Sequence, residues 1–393
     1  MKKWISFVLL LCLLVTTAFC EQAQNIAGQV KYSSFGGKTY ARLSDGKYRL
    51  VFETKADKAP YLEIQSEQEI AAMQVKWETL PGKWHLQVMQ DGAWQNVQTQ
   101  GEEGHAVEFI AVPNAKKLRI TGQFEKNQKL KIFELELYTA GELPKHVQQW
   151  QSRDSKADML LLVAHPDDEL IFMGGLIPSF AEHSGKQLQV AYITCSDNMR
   201  RYELLHALWH CGLMRYPEIG PFYDRYSKTV KQAYAMWKKD KVLQYTVDLI
   251  RKHKPEVVVT HDVFGEYGHG AHRAAADLCL QAFDLAADES YKTDFAPWQA
   301  KKLYVHLGND ESKTIHMDWK QPLNAFGGKT SLQVADEAWV FHKSQHGGRA
   351  DFQGRTFFFQ IADGGVFDNA KFSLLKTTVG EDVAKNDFFE NIH

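Results

Sequence analysis

The sequence predicts two folded regions of different class. An all-β sandwich comes first, then an α/β region with a mostly parallel sheet and helices on both faces. Three observations carry that expectation. The chain has 393 residues, more than one hydrophobic core usually organises. Residues 24–142 show only short alternating or aromatic-rich runs separated by turn residues. From Asp158 onward, apolar runs of strand length alternate with helical patterns, as in parallel strands joined by crossover helices.

A hydrophobic fraction of 44%, with 12% aromatic residues, is ample for two cores. The formal net charge of -2, without a long basic run, argues against nucleic acid as a partner. Residues 1–20 read as a secretory leader. Lys2 and Lys3 form its positive end, Phe7 to Val15 its apolar centre, and Thr16, Thr17 and Ala18 its small residues. That apolar run is too short to span a membrane comfortably, and no later run is long enough. A secreted or extracytoplasmic protein cleaved after Cys20 is expected. The competing reading, a lipidated Cys20, is disfavoured by the bulky Phe19 before it. Cleavage leaves Cys195, Cys211 and Cys279, an odd set with no Cys-x-x-Cys spacing, which suits buried, inert thiols.

In the first region, strands are expected at Lys47–Glu53, Tyr61–Ile64, Met73–Glu78, Trp84–Met89, Ala106–Ile110, Lys117–Thr121 and Lys129–Leu137. Turns separate them at Ser44-Asp45-Gly46, Pro81-Gly82-Lys83 and Asp91-Gly92. No His, Asp and Glu group with ligand spacing occurs there, so a structural or binding role is expected. Residues 143–157, polar and holding Pro144, read as a linker. In the region 158–393, strands are expected at Met159–Ala164, Leu188–Thr194, Glu256–Thr260 and Lys302–His306. Helices are expected near Leu170–Ser184, Met199–Cys211, Val230–Lys252 and His272–Ala286. Trp298, Trp319 and Trp339 read as core residues, and Arg355–Gln360 as part of a closing β extension.

The chemistry gathers at His165-Pro166-Asp167-Asp168-Glu169, directly after the apolar run Met159–Ala164. Pro166 has no N–H to donate, so the strand should stop there. The charged group then lies at the carboxyl end of a strand, where open α/β sheets place their ligands. Zinc takes imidazole nitrogen and carboxylate oxygen, with three protein ligands and a water at catalytic sites. His165 and Asp168 can supply two ligands, and Asp167 a base. The competing reading is a helix start capped by its own aspartates. A second polar loop, His261 to Arg273, follows another apolar strand and should open on the same edge. His269 and His272, three apart, share a face at a helix start, so one can bind metal while the other meets the substrate. Gly265, Gly268 and Gly270 let this loop approach a ligand closely.

Taken together, Ala164-His165-Pro166-Asp167-Asp168-Glu169 and Gly265-Glu266-Tyr267-Gly268-His269-Gly270-Ala271-His272 closely resemble the PIG-L/LmbE-like family of zinc-dependent N-deacetylases. Arg200-Arg201-Tyr202-Glu203 is similar to that family's Arg-x-x-Glu helix start, and His342-Lys343-Ser344-Gln345 to its late Ser-Gln segment. The resemblance spans Asp158 to Gln345. It implies a Rossmann-like three-layer α/β/α domain with one zinc on His165, Asp168 and His272. It implies Asp167 as the general base, and His269 as the group that stabilises the oxyanion and helps protonate the leaving amine. Tyr267 would contact the same oxyanion. The implied substrate is an N-acetylated amino sugar or its conjugate.

Two departures stand out. Ala271 replaces an Asp that in many members orients the neighbouring His, which leaves Glu266 and Asp262 as candidates to hold His269. Cys195-Ser196-Asp197-Asn198 replaces a Gly-Glu segment, so Asp197 and Arg200 are either pocket contacts or a helix cap beside a solvated Arg. In the first region, Ser44-Asp45-Gly46, Tyr61–Ile64, Asp91-Gly92-Ala93-Trp94 and Ile132–Tyr138 resemble discoidin-like, galactose-binding-type jelly rolls. That likeness implies a sugar-binding accessory role. Rival expectations are a carbohydrate-binding protein with an inactive deacetylase domain, and a zinc amidase acting on peptide or peptidoglycan fragments. Iron or cobalt also suits two His and one Asp. Oligomeric state and the particular sugar are not encoded in any motif.

Overall fold

The computed structural model describes residues 21–47, 50–153, 156–183, 185–195, 197–345 and 366–393. The leader with Cys20, and Arg355–Gln360, lie outside the described residues.

The first region is a β sandwich of β1 (Lys31–Ser34), β2 (Phe52–Glu53), β3 (Tyr61–Trp77), β4 (Trp84–Gln90), β5 (Ala93–Gln100), β6 (Val107–Gly122) and β7 (Lys131–Tyr138). Pairing runs β2-β7-β3-β6-β4-β5, with β1 also on β3. The expected strands Tyr61–Ile64 and Met73–Glu78 are two ends of the single strand β3, and β6 likewise joins two expected strands. Register shifts between Gln65, Ile70 and Ala72 let both long strands cross from one layer to the other. Tyr61–Gln65 pairs with β1 and with the far end of β6, whereas Ala72–Trp77 pairs with β7. Leu62, Ile64, Leu86 and Leu118 from one layer thereby share a core with Met73, Val75, Leu135 and Leu137 from the other. Asp91 and Gly92 both have positive φ, the conformation a two-residue hairpin between β4 and β5 requires.

The second region comprises β8 (Met159–Val163), α1 (Asp168–Ile171), α2 (Leu176–His183), β9 (Leu188–Thr194), α3 (Asn198–His210), β10 (Glu218–Phe222), α4 (Val230–Trp237), α5 (Lys239–His253) and β11 (Val257–Thr260). It continues with α6 (Gly270–Leu285), β12 (Lys302–His306), β13 (Thr314–His316), β14 (Pro322–Leu323), β15 (Lys329–Thr330), α7 (Ser331–Trp339) and β16 (Lys371–Thr377). The main sheet has the order β10-β9-β8-β11-β12-β16-β13. Its first five strands are parallel, and β16 is antiparallel to both neighbours.

Every residue of β8, β9, β11 and β12 is buried, because both sheet faces are covered. The period-2 alternation of β8 sends Met159, Leu161 and Val163 to one core and Leu160 and Leu162 to the other. Helices α1, α2, α3 and α7 cover the first face, and α4, α5 and α6 the second, giving three layers.

Some expected elements divide. The helix expected at Leu170–Ser184 is interrupted after Ile171. There Asn369 receives the Gly174 amide at 2.5 Å and donates to the Ile171 carbonyl at 2.8 Å. Gly175 lies so close to the Trp319 ring that a Cβ would come within 2.5 Å of it. The helix expected at Val230–Lys252 breaks at Lys238, where φ is 62°. Strand β10 escaped the sequence pattern because Gly220 and Pro221 interrupt it.

The sandwich packs directly onto α3. Ala106, Val107 and Phe133 join the core beneath α3, and the Tyr202 hydroxyl donates to the backbone carbonyls of Trp77 and Ala106. The described residues contain no helix long and apolar enough to cross a membrane.

Candidate active site

From β8 the chain moves outward to β9 and β10, then returns to the other side of β8 as β11. That reversal makes the carboxyl edge between β8 and β11 a topological switch point, the natural crevice of an open α/β sheet. The loop after β8 carries His165 and Asp167, α1 opens on Asp168, and the loop after β11 carries His261, Glu266, Tyr267 and His269. The first turn of α6 supplies His272. The residues singled out from the sequence therefore converge.

His165, Asp168 and His272 are all buried, and one donor atom from each lies within 4.8 Å of the others. His165 Nδ1 is 3.1 Å from Asp168 Oδ2, which also accepts the His165 backbone amide at 2.8 Å. His272 Nδ1 is 2.7 Å from Glu266 Oε2 and donates to it. The other ring nitrogen, Nε2, then faces Asp168 Oδ1 at 3.2 Å with no hydrogen-bond partner among the described residues. A buried nitrogen lone pair opposite a carboxylate oxygen is repulsive unless a proton or a cation lies between them. Burial works against the charged form of Asp168, yet His272, His261 and His165 outweigh it and hold the carboxyl well below its usual range. This anionic, imidazole-lined set fits a divalent cation with tetrahedral N and O preference.

Glu266 is the hub behind the cluster. Its fully buried carboxylate lies 2.8 Å from His261 Nδ1, 2.7 Å from His272 Nδ1 and 2.8 Å from His306 Nδ1. It fixes the tautomer of His272, as carboxylates behind metal-bound histidines commonly do. Its target differs from the expectation, because neither Glu266 nor Asp262 holds His269. The Ala271 backbone amide does, donating to His269 Nδ1 at 3.1 Å. At this helix start the side chain of His269 acts as the N-cap. The same bond leaves the proton on Nε2. Burial, then the neighbouring His272 and His165, push His269 down to about 3, so the ring is a neutral donor. Its centroid is 5.0 Å from that of His165 and 4.5 Å from that of His272.

Asp167 adjoins the ligand cluster in an unusual backbone conformation, φ 116° and ψ −30°. Burial pushes its carboxyl well up, against the pull of Arg200. Arg200 Nη2 lies 3.2 Å from Asp167 Oδ1, and Arg200 also pairs with Asp224 and donates to the Pro166 carbonyl. Of the two residues left open in the sequence, Asp197 is a helix cap, accepting from the Met199 and Arg200 amides, whereas the Arg200 side chain, 15% exposed, turns inward to the two aspartates. Asp224 was missed by the sequence reading. It follows β10 and places Oδ1 4.0 Å from His165 Nε2. Tyr267 stands at the mouth, 47% exposed, with its ring 5.5 Å from both His269 and His272.

Two other quoted segments also meet. Glu203, from the Arg-x-x-Glu stretch, accepts from the Ser344 backbone amide at 2.8 Å and from its hydroxyl.

A switch-point cluster of two imidazoles and one carboxylate, with a second carboxylate beside it, defines an α/β protein whose sheet edge carries a group of side chains that could hold a metal ion. Residues 160–283 match the family described as PIG-L: GlcNAc-PI de-N-acetylase, and the chain carries a PIG-L family domain there. Two curated relatives are each 30% identical. Both are named 1D-myo-inositol 2-acetamido-2-deoxy-alpha-D-glucopyranoside deacetylase. The match to the protein of Kribbella flavida covers 37% of this chain and 60% of the relative. The match to the protein of Segniliparus rotundus covers 37% and 56%. This chain thus spans somewhat over half the length of these relatives. Among solved structures, a conserved protein from Thermus thermophilus aligns with 49% of this chain and 82% of its own, at 20% identity and a TM-score of 0.37. A family 32 CBM from C. perfringens, in complex with galactose, aligns with 30% of this chain and 98% of its own, at 15% identity and a TM-score of 0.26.

Proposed function

We propose that this protein is a zinc-dependent hydrolase that removes the acetyl group from an N-acetylated amino sugar or its conjugate. The observation that carries this reading is the buried pair His272 Nε2 and Asp168 Oδ1, 3.2 Å apart beside His165. His165, Asp168 and His272 would hold the zinc. When bound, zinc lowers the pKa of water to about 7 and polarises the amide carbonyl.

Asp167 is the general base. Arg200 keeps its carboxylate beside the ligand set, where it takes a proton from the attacking water and passes it toward the departing nitrogen. Neutral His269 offers its Nε2–H to the carbonyl oxygen as negative charge develops there. Such a donor is typically worth about 3 kcal/mol. Tyr267 is the second contact to that oxygen from the solvent side.

Residues 1–20 act as an export leader in this reading, so the enzyme works outside the cytoplasm. Residues 24–142 form a carbohydrate-binding accessory domain, residues 143–157 a linker, and residues 158–393 the catalytic domain.

Acetate release from a panel of N-acetylated mono- and oligosaccharides tests the proposal, with zinc content measured in parallel. Wild-type protein should release acetate, and Asp167→Asn should retain zinc while losing a factor of about 10² to 10⁴ in rate. Full activity in Asp167→Asn would remove Asp167 from its role. Bound zinc without acetate from any sugar would favour a different amide substrate or a sugar-binding protein.

A further inference from the structure

The proposed base sits on a backbone that its neighbours must force. A φ of 116° lies in the region that residues with a side chain rarely adopt, so the conformation carries strain. A strained conformation persists only where the surroundings over-determine it. Asp167 is bounded by Pro166, whose fixed ring restricts the preceding residue, and by Asp168, which belongs to the ligand set. Neither neighbour accounts for the rotation at Asp167 itself.

Two side chains grip the Pro166–Asp167 peptide, Arg200 at its carbonyl and Glu169 at its amide. Glu169 turns back and accepts the Asp167 backbone amide on Oε2 at 2.9 Å. The Glu169 side chain is fully buried. Two further buried polar groups enclose its carboxylate. Oε1 lies 3.5 Å from Nε2 of His342, itself fully buried, and the Tyr192 hydroxyl on β9 lies beside the same carboxylate. Glu169 Oε1 and both His342 ring nitrogens have no hydrogen-bond partner among the described residues. Three buried polar groups, from α1, from β9 and from the chain after α7, therefore meet at the Glu169 carboxylate. Burying them is costly, and nothing in the metal cluster requires it.

We propose that Glu169 is the positioning residue that holds the Asp167 backbone at positive φ through its amide, so that the Asp167 carboxylate faces Arg200 and the ligand set. This rests on the reading of Asp167 as the base. Glu169 reaches Asp167 through the main-chain amide, and its charge also helps to push the Asp167 carboxyl up. His342 lies on the far side of Glu169, its Nε2 3.5 Å from Oε1.

The test compares Glu169→Gln, which keeps an acceptor oxygen, with Glu169→Leu, which keeps volume without one. Crystal structures of both report φ at Asp167 directly. Expected is a positive φ in Glu169→Gln and relaxation to negative φ in Glu169→Leu, with equal zinc content. In turnover, Glu169→Leu should lose about 10²-fold in kcat with KM within about threefold, since small misplacements of a reacting group cost that much. Glu169→Gln should restore most of the rate.

The wild-type protein supplies an arm independent of both variants. The Asp167 amide proton should be strongly protected from exchange, and Glu169→Gln should retain that protection. An unprotected Asp167 amide, or an unchanged φ in Glu169→Leu, overturns the assignment. Should no N-acetylated sugar be turned over, the deacetylase reading falls while φ and amide protection still decide the role of Glu169.

Discussion

Glu266 accepts three imidazole N–H groups at once, and only one of those rings is a proposed metal ligand. Removing the carboxylate's charge while keeping its shape isolates what it does for His272. Glu266→Gln should weaken zinc affinity by about 10- to 100-fold, measured by competition with a chelator, because partners behind a ligand contribute on that scale. His272→Ala should abolish stoichiometric zinc altogether. Equal affinity in Glu266→Gln and wild type would show that the hub serves folding rather than the metal. Glu266 was visible in the loop motif, but its target was not. His306 comes from β12 and His261 from the end of β11, and only folding brings both rings to one carboxylate. The same holds for Asp224, which no local motif marks.

At the scale of elements, α6 and the loop before α4 must touch through backbone. Gly270 donates its amide to the Ser227 carbonyl at 2.8 Å, and a Cβ on Gly270 would sit 2.5 Å from the Thr229 backbone. No side-chain rotation relieves a clash with main chain. Gly270→Ala should therefore lower stability by about 1–3 kcal/mol, read from denaturant midpoints. It should also reduce acetate release, because the displaced loop carries Asp224 and Tyr226, whose ring is 4.7 Å from His269. An Ala variant with unchanged midpoint and rate would mean that the loop yields freely. The parallel strands were legible because burial on both faces leaves uninterrupted apolar runs, as in β8 and β9. Strand β10, with Gly220 and Pro221, and the break at Lys238 were not legible, since packing rather than local preference decides them.

Over the whole molecule, buried ionisable groups make stability depend on pH even away from the active site. Glu134 on β7 is buried, and burial pushes its carboxyl up to about 7, with the Gly46 amide and Lys76 pulling the other way. A raised carboxyl binds its proton more tightly in the folded state. Its contribution to stability is fully present below the unfolded value of about 4.3 and is lost as pH rises through the folded value. Urea unfolding of Glu134→Gln against wild type should show the variant gaining relative stability between pH 5 and pH 8. A pH-independent difference would place the Glu134 carboxyl near its ordinary value. The sandwich bearing Glu134 also contacts α3, the helix that carries Arg200, so loss of sandwich stability reaches the site through Tyr202.

The sequence alone determined the two-region architecture, the carboxyl-edge placement of His165, Asp167 and Asp168, and the pairing of His269 with His272 in one helix start. Each follows from short-range chemistry, such as apolar runs of strand length, Pro166 as a stop, and three-residue spacing at a helix turn. Tertiary structure alone decided that Ala271 offers its amide to His269, that Glu266 gathers three imidazoles, and that Arg200 turns inward to Asp167 and Asp224. These are contacts across strands and loops. Their geometry depends on sheet order and backbone direction, which no local pattern of residues encodes.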